Sequence, residues 1–195
     1  HSKGMLIITG FIRERFAKKE PLTFTASIAF EQSYSGVDGD SASAAEIYVL
    51  LSALTNIPIK QTFAITGSIN QKGDIQPIGG VNEKITGFYE ICKERGFKEG
   101  QGVIIPVQNV KDLMLSDELI EDVKQGNFKI YSFEKIEDAT PLLFGLPAGE
   151  MDKEGNFPDG SLFALAAKRF SELRQLSKDK DEKKNKGKKK TTTKN

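Results

Sequence analysis

The sequence is poor in the residues that most often carry out chemistry. Its 195 residues include one histidine, one cysteine and no tryptophan. The histidine is the first residue, so a Ser-His-Asp triad, a Cys-His pair and a metal site built from His and Cys are excluded. The lone Cys92 cannot form an internal disulfide and suits a reducing, cytoplasmic setting. No apolar run approaches the roughly 18 residues that a membrane-spanning helix needs. The N-terminus lacks the basic-then-apolar pattern of a signal peptide, so no membrane partner is expected. The chain starts at His1 without a methionine, which reads as a fragment or processed product of something longer. No repeat and no phosphate-binding loop of the G-x-x-x-x-G-K-[ST] kind is present; GGVNEKIT comes near it without the spacing.

What is present suits one good core: 38% of the residues are hydrophobic. The net charge of +1 hides an asymmetry, because residues 177–195 hold nine lysines against three acids while the rest is acidic. That last segment has almost no apolar residue and reads as a disordered basic tail. Such a tail attracts phosphates, which makes nucleic acid a candidate partner.

Hydrophobic patterning divides the remainder. MLIITGF (5–11) suits a buried strand, and LTFTASIAF (22–30) alternates with period two, as a half-buried strand does. A helix is expected from about Ala42 to Thr55, with Ile47, Leu50, Leu51 and Leu54 at helical spacing. Two strands joined at Asn70–Gly73 follow, then a helix from Val81 that ends at Gly96. GVIIPV is a strand, VKDLMLSDELIEDVKQG is helical in one or two pieces, FKIYSF is a strand and EKIEDATPLLFG a short helix. The alternation implies an α+β (α/β-like) domain over residues 1–146. A linker and an amphipathic helix fill 147–176, and the tail fills 177–195.

Two features point to chemistry. GVDGDSASAAEIY (36–48) runs small polar residues straight into a helix: either Asp40 or Ser41 caps it, or Ser41 is held at its positive end as a nucleophile. Then Lys84 falls three residues after Val81 and four before Phe88, on the apolar face of the next helix. It either snorkels to the rim or is partly buried, which disfavours the ammonium form and suits a general base. Serine with lysine is a known pairing where no histidine serves. Thr66, at the end of TFAIT, is either an ordinary β-branched strand residue or a hydroxyl that fixes the amine.

GDSASAAE followed by TGSINQKGDIQPIGGVNEKI resembles the proteolytic domain of Lon, the ATP-dependent serine protease, over about residues 4–145. The resemblance is nearest to the archaeal B-type enzymes and bacterial Lon-related proteases, because Asp40 stands where the classical bacterial Lon enzymes have proline. It implies that Ser41, after Gly39-Asp40, is the nucleophile and that Lys84, in Gly79-Gly80-Val81-Asn82-Glu83-Lys84, is its base. Thr66 matches the threonine that hydrogen-bonds the lysine. Asp38 matches an acidic residue that pairs with it in some B-type relatives, so an Asp38–Lys84 ion pair is one expected resting arrangement.

The resemblance further implies mixed small sheets packed with helices, hydrolysis of unfolded proteins and a hexameric ring. It implies no cofactor in this stretch, ATP and Mg belonging to an ATPase module placed N-terminal to it. Backbone N–H groups near Asp40 and Ser41 are the expected oxyanion donors. The strand at Ser68, Ile69 and Asn70 is the expected partner for an extended substrate. The rival reading is a non-catalytic Lon-like structural or nucleic-acid-associated module.

Overall fold

A computed structural model describes residues 2–31 and 39–191. The elements run α1 (Ser2–Phe16), α2 (Ser43–Thr55), β1 (Phe63–Ile65), β2 (Ser68–Ile69), β3 (Ile75–Gln76), α3 (Val81–Glu94) and β4 (Gly102–Pro106). A 3₁₀ turn (Val107–Asp112), α4 (Asp117–Gln125), β5 (Lys129–Phe133), α5 (Ile136–Phe144) and α6 (Leu162–Thr191) follow. This is the α+β arrangement that the sequence reading expects: small sheets packed with helices.

β1, β4 and β5 form a parallel sheet with β4 in the middle, while β2 and β3 form a separate antiparallel hairpin. All five residues of β4 are buried, as a strand covered on both faces requires. Its side chains alternate between two cores. Ile104 enters one core with Phe11, Ile47, Leu51, Phe133 and Phe163. Val103 and Ile105 enter the other with Val81, Ile85, Tyr89, Leu119 and Phe128. One side of the sheet therefore carries α1, α2, α5 and α6, and the other carries α3 and α4. Gly102 is required where β4 meets β5, because a Cβ there would lie 2.3 Å from the Lys129 carbonyl oxygen.

Two expected strands are not strands. MLIITGF lies within α1: Ile8, Phe11 and Ile12 are spaced by three and one, a helical stripe, and all three are buried. An apolar run this short does not separate the two periods by itself. LTFTASIAF takes no regular secondary structure and joins no ladder among the described residues. Its period-two face holds only at its start: Leu22 and Phe24 pack against the first core, while Ala26 and Phe30 are exposed. Leu22 and Phe24 meet helices rather than a sheet edge, with Phe24 stacked 4.9 Å from Phe170 of α6.

The C-terminal region also differs from expectation. Ala148 is buried, Phe157 packs on Phe16 and Phe163, and Leu162, Phe163, Ala166 and Phe170 of α6 complete the first core. α6 then continues to Thr191, through most of the segment expected to be a disordered tail. Lysine and glutamate are good helix formers, and a packed first half supplies the nucleus.

Candidate active site

The turn before α2 is built from small residues with specific tasks. Gly39 takes φ +78, a left-handed conformation that favours glycine. Ser43 then turns the chain into the helix, donating both its N–H (3.0 Å) and its hydroxyl (2.7 Å) to the Asp40 carbonyl. The cap position is Ala42, and no side chain caps α2. Neither Asp40 nor Ser41 serves as the helix cap.

Asp40 instead accepts a hydrogen bond from Lys3 Nζ of α1 at 3.1 Å. Burial opposes ionisation of its carboxyl, but the Lys3 ammonium, the Ser68 hydroxyl and the local backbone outweigh it and hold the carboxyl below the ordinary aspartate range.

A backbone seam fixes Ser41. Its carbonyl accepts from Gly67 N–H (2.9 Å) and from Thr66 Oγ1 (3.3 Å), while Ala44 N–H donates to the Gly67 carbonyl at 3.1 Å. Thr66 N–H continues the β1–β4 ladder to the Ile104 carbonyl at 3.1 Å. Gly67 lets this seam close, because a Cβ there would sit 2.9 Å from the buried Phe133 ring.

Lys84, in the first turn of α3, comes from the opposite side of the sheet. Its Nζ donates to Ser41 Oγ at 3.0 Å and lies 3.5 Å from Thr66 Oγ1. The structure thus brings together Ser41, Lys84 and Thr66. Of the two readings left open for Lys84, the structure favours the one at the rim: Lys84 is exposed. Val81, Ile85, Tyr89 and Cys92 form the buried stripe of α3, and the lysine lies at the rim of that stripe. Beside the dyad is a pocket of about 300 Å³ lined by Ala42, Ala45, Ile65, Thr66, Ile85 and Ile104 among others, mostly apolar. The run of small residues after Ser41 was the signal for this close approach.

Asp38 lies outside the described residues. The hairpin residues have other tasks. Ile69 is fully buried in the first core. Asn70 closes the hairpin, donating to Asp74 at 2.8 Å and accepting from the N–H groups of Lys72 and Asp74. Ser68 is buried at 3% exposure, its hydroxyl facing Gln76 and Asp40. None of the three lines the pocket beside Ser41 and Lys84. The sequence reading missed Lys3, whose partner is 37 residues away, and the amide contacts around α3. Such side-chain bonds leave no periodic trace. Among the described residues no group of three or more His, Cys, Asp and Glu side chains gathers to hold a metal ion. No helix among them is long and apolar enough to cross a membrane.

The model of the Lon protease (S16) C-terminal proteolytic domain matches residues 27–144. The chain belongs to that family. It is similar to a Lon protease homolog of Escherichia coli (strain K12), 49% identical over 146 residues, which are 75% of this chain and 25% of the relative. A Lon protease homolog of Haemophilus influenzae is 45% identical over 87% of this chain and 28% of its own length. The archaeal Lon protease of Methanocaldococcus jannaschii is 43% identical over 61% of this chain and 16% of its own length. The chain therefore spans about a quarter or less of these curated relatives. It is a Lon-type proteolytic domain of the serine peptidase class.

Proposed function

We propose that Ser41 is the nucleophile and Lys84 the general base of peptide-bond hydrolysis. The observation that carries this reading is the 3.0 Å approach of Lys84 Nζ to Ser41 Oγ, with Thr66 beside both. The neutral Lys84 amine takes the proton from Ser41 Oγ as that oxygen bonds to the scissile carbonyl carbon. Backbone N–H groups of the Asp40–Ser41 turn receive the oxyanion. The C–N bond breaks, and the leaving amine takes its proton from the Lys84 ammonium. Lys84 then removes a proton from water, which attacks the acyl ester, and Ser41 regains its hydrogen as the acid departs. Thr66 orients the amine, and the apolar pocket beside Ser41 supports acceptance of an apolar substrate side chain.

The whole protein's role is part of this proposal. Membership of the Lon family supports an ATPase module elsewhere in the protein using ATP and Mg, a hexameric ring, unfolded proteins as substrates and a cytoplasmic location. An extended substrate would pair with the backbone of the β2–β3 hairpin at Ser68–Asn70. Asp38 is proposed as an alternative partner of Lys84 at rest. The lysine-rich 177–195 segment supports a secondary affinity for nucleic acid, which deletion of that segment would abolish.

The test is degradation of casein by the full-length protein with ATP and Mg. Ser41→Ala is expected to abolish cleavage, and Lys84→Ala to lower it by about 10²–10⁴-fold, the usual contribution of a general base. Cleavage by both folded variants at the wild-type rate would overturn the assignment. A wild type that cleaves nothing under these conditions would favour the non-catalytic module.

A further inference from the structure

The two residues that turn the corner before α3 bring no side chain to the core, although Ile78 before them and Val81 after them pack in it. They are Gly79 and Gly80, the second at φ +67. A Cβ on Gly79 would meet nothing within 4 Å, and one on Gly80 only the end of Glu83. No side chain caps the helix there. Yet Lys84 stands in the first turn, its N–H bonded to the Gly80 carbonyl at 3.1 Å. The lysine therefore goes where this corner goes.

Side-chain amides hold the corner on both flanks. Upstream, Ile78 is gripped at both backbone groups: its N–H donates to Asn109 Oδ1 at 2.9 Å, and its carbonyl accepts from Asn109 Nδ2 at 3.0 Å. Asn109 is only 4% exposed, so its amide takes the place that a neighbouring strand would fill. Downstream, Asn82 donates to the Asp112 carbonyl at 3.0 Å and accepts from Met114 N–H at 2.8 Å. All four bonds tie the corner to one stretch, residues 107–114, directly after the central strand β4. Gln108 of the same stretch adds a bond to the Ile75 carbonyl of β3 at 3.0 Å.

We propose that residues 107–114 form a brace that positions the general base, with Asn109 and Asn82 as positioning residues that keep Lys84 Nζ within reach of Ser41 Oγ. This rests on the catalytic reading given above. Neither asparagine touches the reacting atoms. Loss of either leaves the glycine corner with only the packing of Ile78 and Val81 to direct it, and misplacement of a catalytic group by about 1 Å costs on the order of 10²-fold in rate.

The experiment uses the full-length protein and two readouts, both taken well below each variant's unfolding midpoint. One is kcat and KM for a fluorogenic peptide; the other is the rate at which a fluorophosphonate labels Ser41. Asn109→Ala and Asn82→Ala are expected to lower kcat and the labelling rate by about 10²-fold with KM nearly unchanged. Tyr89→Phe is the structural control. It removes the hydrogen bond from Tyr89 to Asp122 two turns further along α3, and should lower the midpoint while kcat stays. Asn82 lies nearer the surface, so its variant carries the test even where Asn109→Ala fails to fold. Asparagine variants that label at the wild-type rate, or that fall only as far as Tyr89→Phe does, would overturn the brace. A wild type that is not labelled at Ser41 would instead remove the dyad reading, and the brace with it.

Discussion

Ser41 and Lys84, the two residues of the proposed dyad, are held in different ways. On the α2 side, the Ser41 carbonyl is held by the Gly67 backbone N–H and the Thr66 hydroxyl and is backed by an aromatic-rich core in which Phe11, Phe133 and Phe163 are almost wholly enclosed. On the α3 side, Lys84 stands on a smaller core, and its helix start hangs on amide side chains of Asn109 and Asn82. Backbone seams survive most side-chain substitutions, whereas an amide brace is lost with one residue. The place of Ser41, the proposed nucleophile, is thus robust and that of Lys84, the proposed base, is sensitive. In a serine-lysine pair the base is also the longer, freer side chain, so its helix must supply the constraint that its stem lacks.

The largest expected effects ignore this difference. Phe163→Ala on the α2 side and Phe128→Ala on the α3 side each empty a fully buried site and should each cost about 3–5 kcal/mol in chemical denaturation. A much smaller loss for Phe128 would mean that the second core is loosely packed and the comparison overstated.

Next comes the seam itself. Gly67→Ala drives a methyl group into Phe133 and should cost about 1–3 kcal/mol, with slower cleavage because Thr66 and Ser41 move together. Unchanged activity in a destabilised Gly67→Ala variant would show that the seam is not what places Ser41.

The smallest effect concerns Asp40. Its carboxyl titrates below the ordinary value of 3.8 in the folded chain, so its stabilising contribution is present above that value and is lost as pH falls through the lower, folded one. The pair with Lys3 is largely exposed and should be worth no more than about 1 kcal/mol. Acid unfolding curves of wild type and Lys3→Ala should separate slightly above pH 4 and converge as pH falls through the lower, folded value. Curves that coincide throughout would leave Lys3 no part in holding the nucleophile turn.

Much of this arrangement was legible in the sequence, for reasons that particular residues show. The helices α2 and α3 and the strand β4 have patterns long enough, or apolar enough, to be unambiguous. Residues 5–11 were misread because seven residues cannot separate a helical stripe from a buried strand. Residues 22–30 were misread because alternation reports a face, not a ladder partner. Ser41, Thr66 and Lys84 were named from their motifs, and the structure adds that they meet. Whether Lys84 is buried or at the rim could not be read from its spacing, since a face defined by three apolar residues has edges. The amide brace was invisible because a buried asparagine bonded to a backbone 31 residues away has no local signature.

The most direct measurement is the mass of the full-length protein after reaction with a fluorophosphonate, followed by peptide mapping, for wild type and Lys84→Ala at neutral pH. A single adduct on Ser41 that forms in wild type and nearly disappears in Lys84→Ala is the predicted result. An adduct on another residue, or one on Ser41 that forms equally fast without Lys84, would contradict the account.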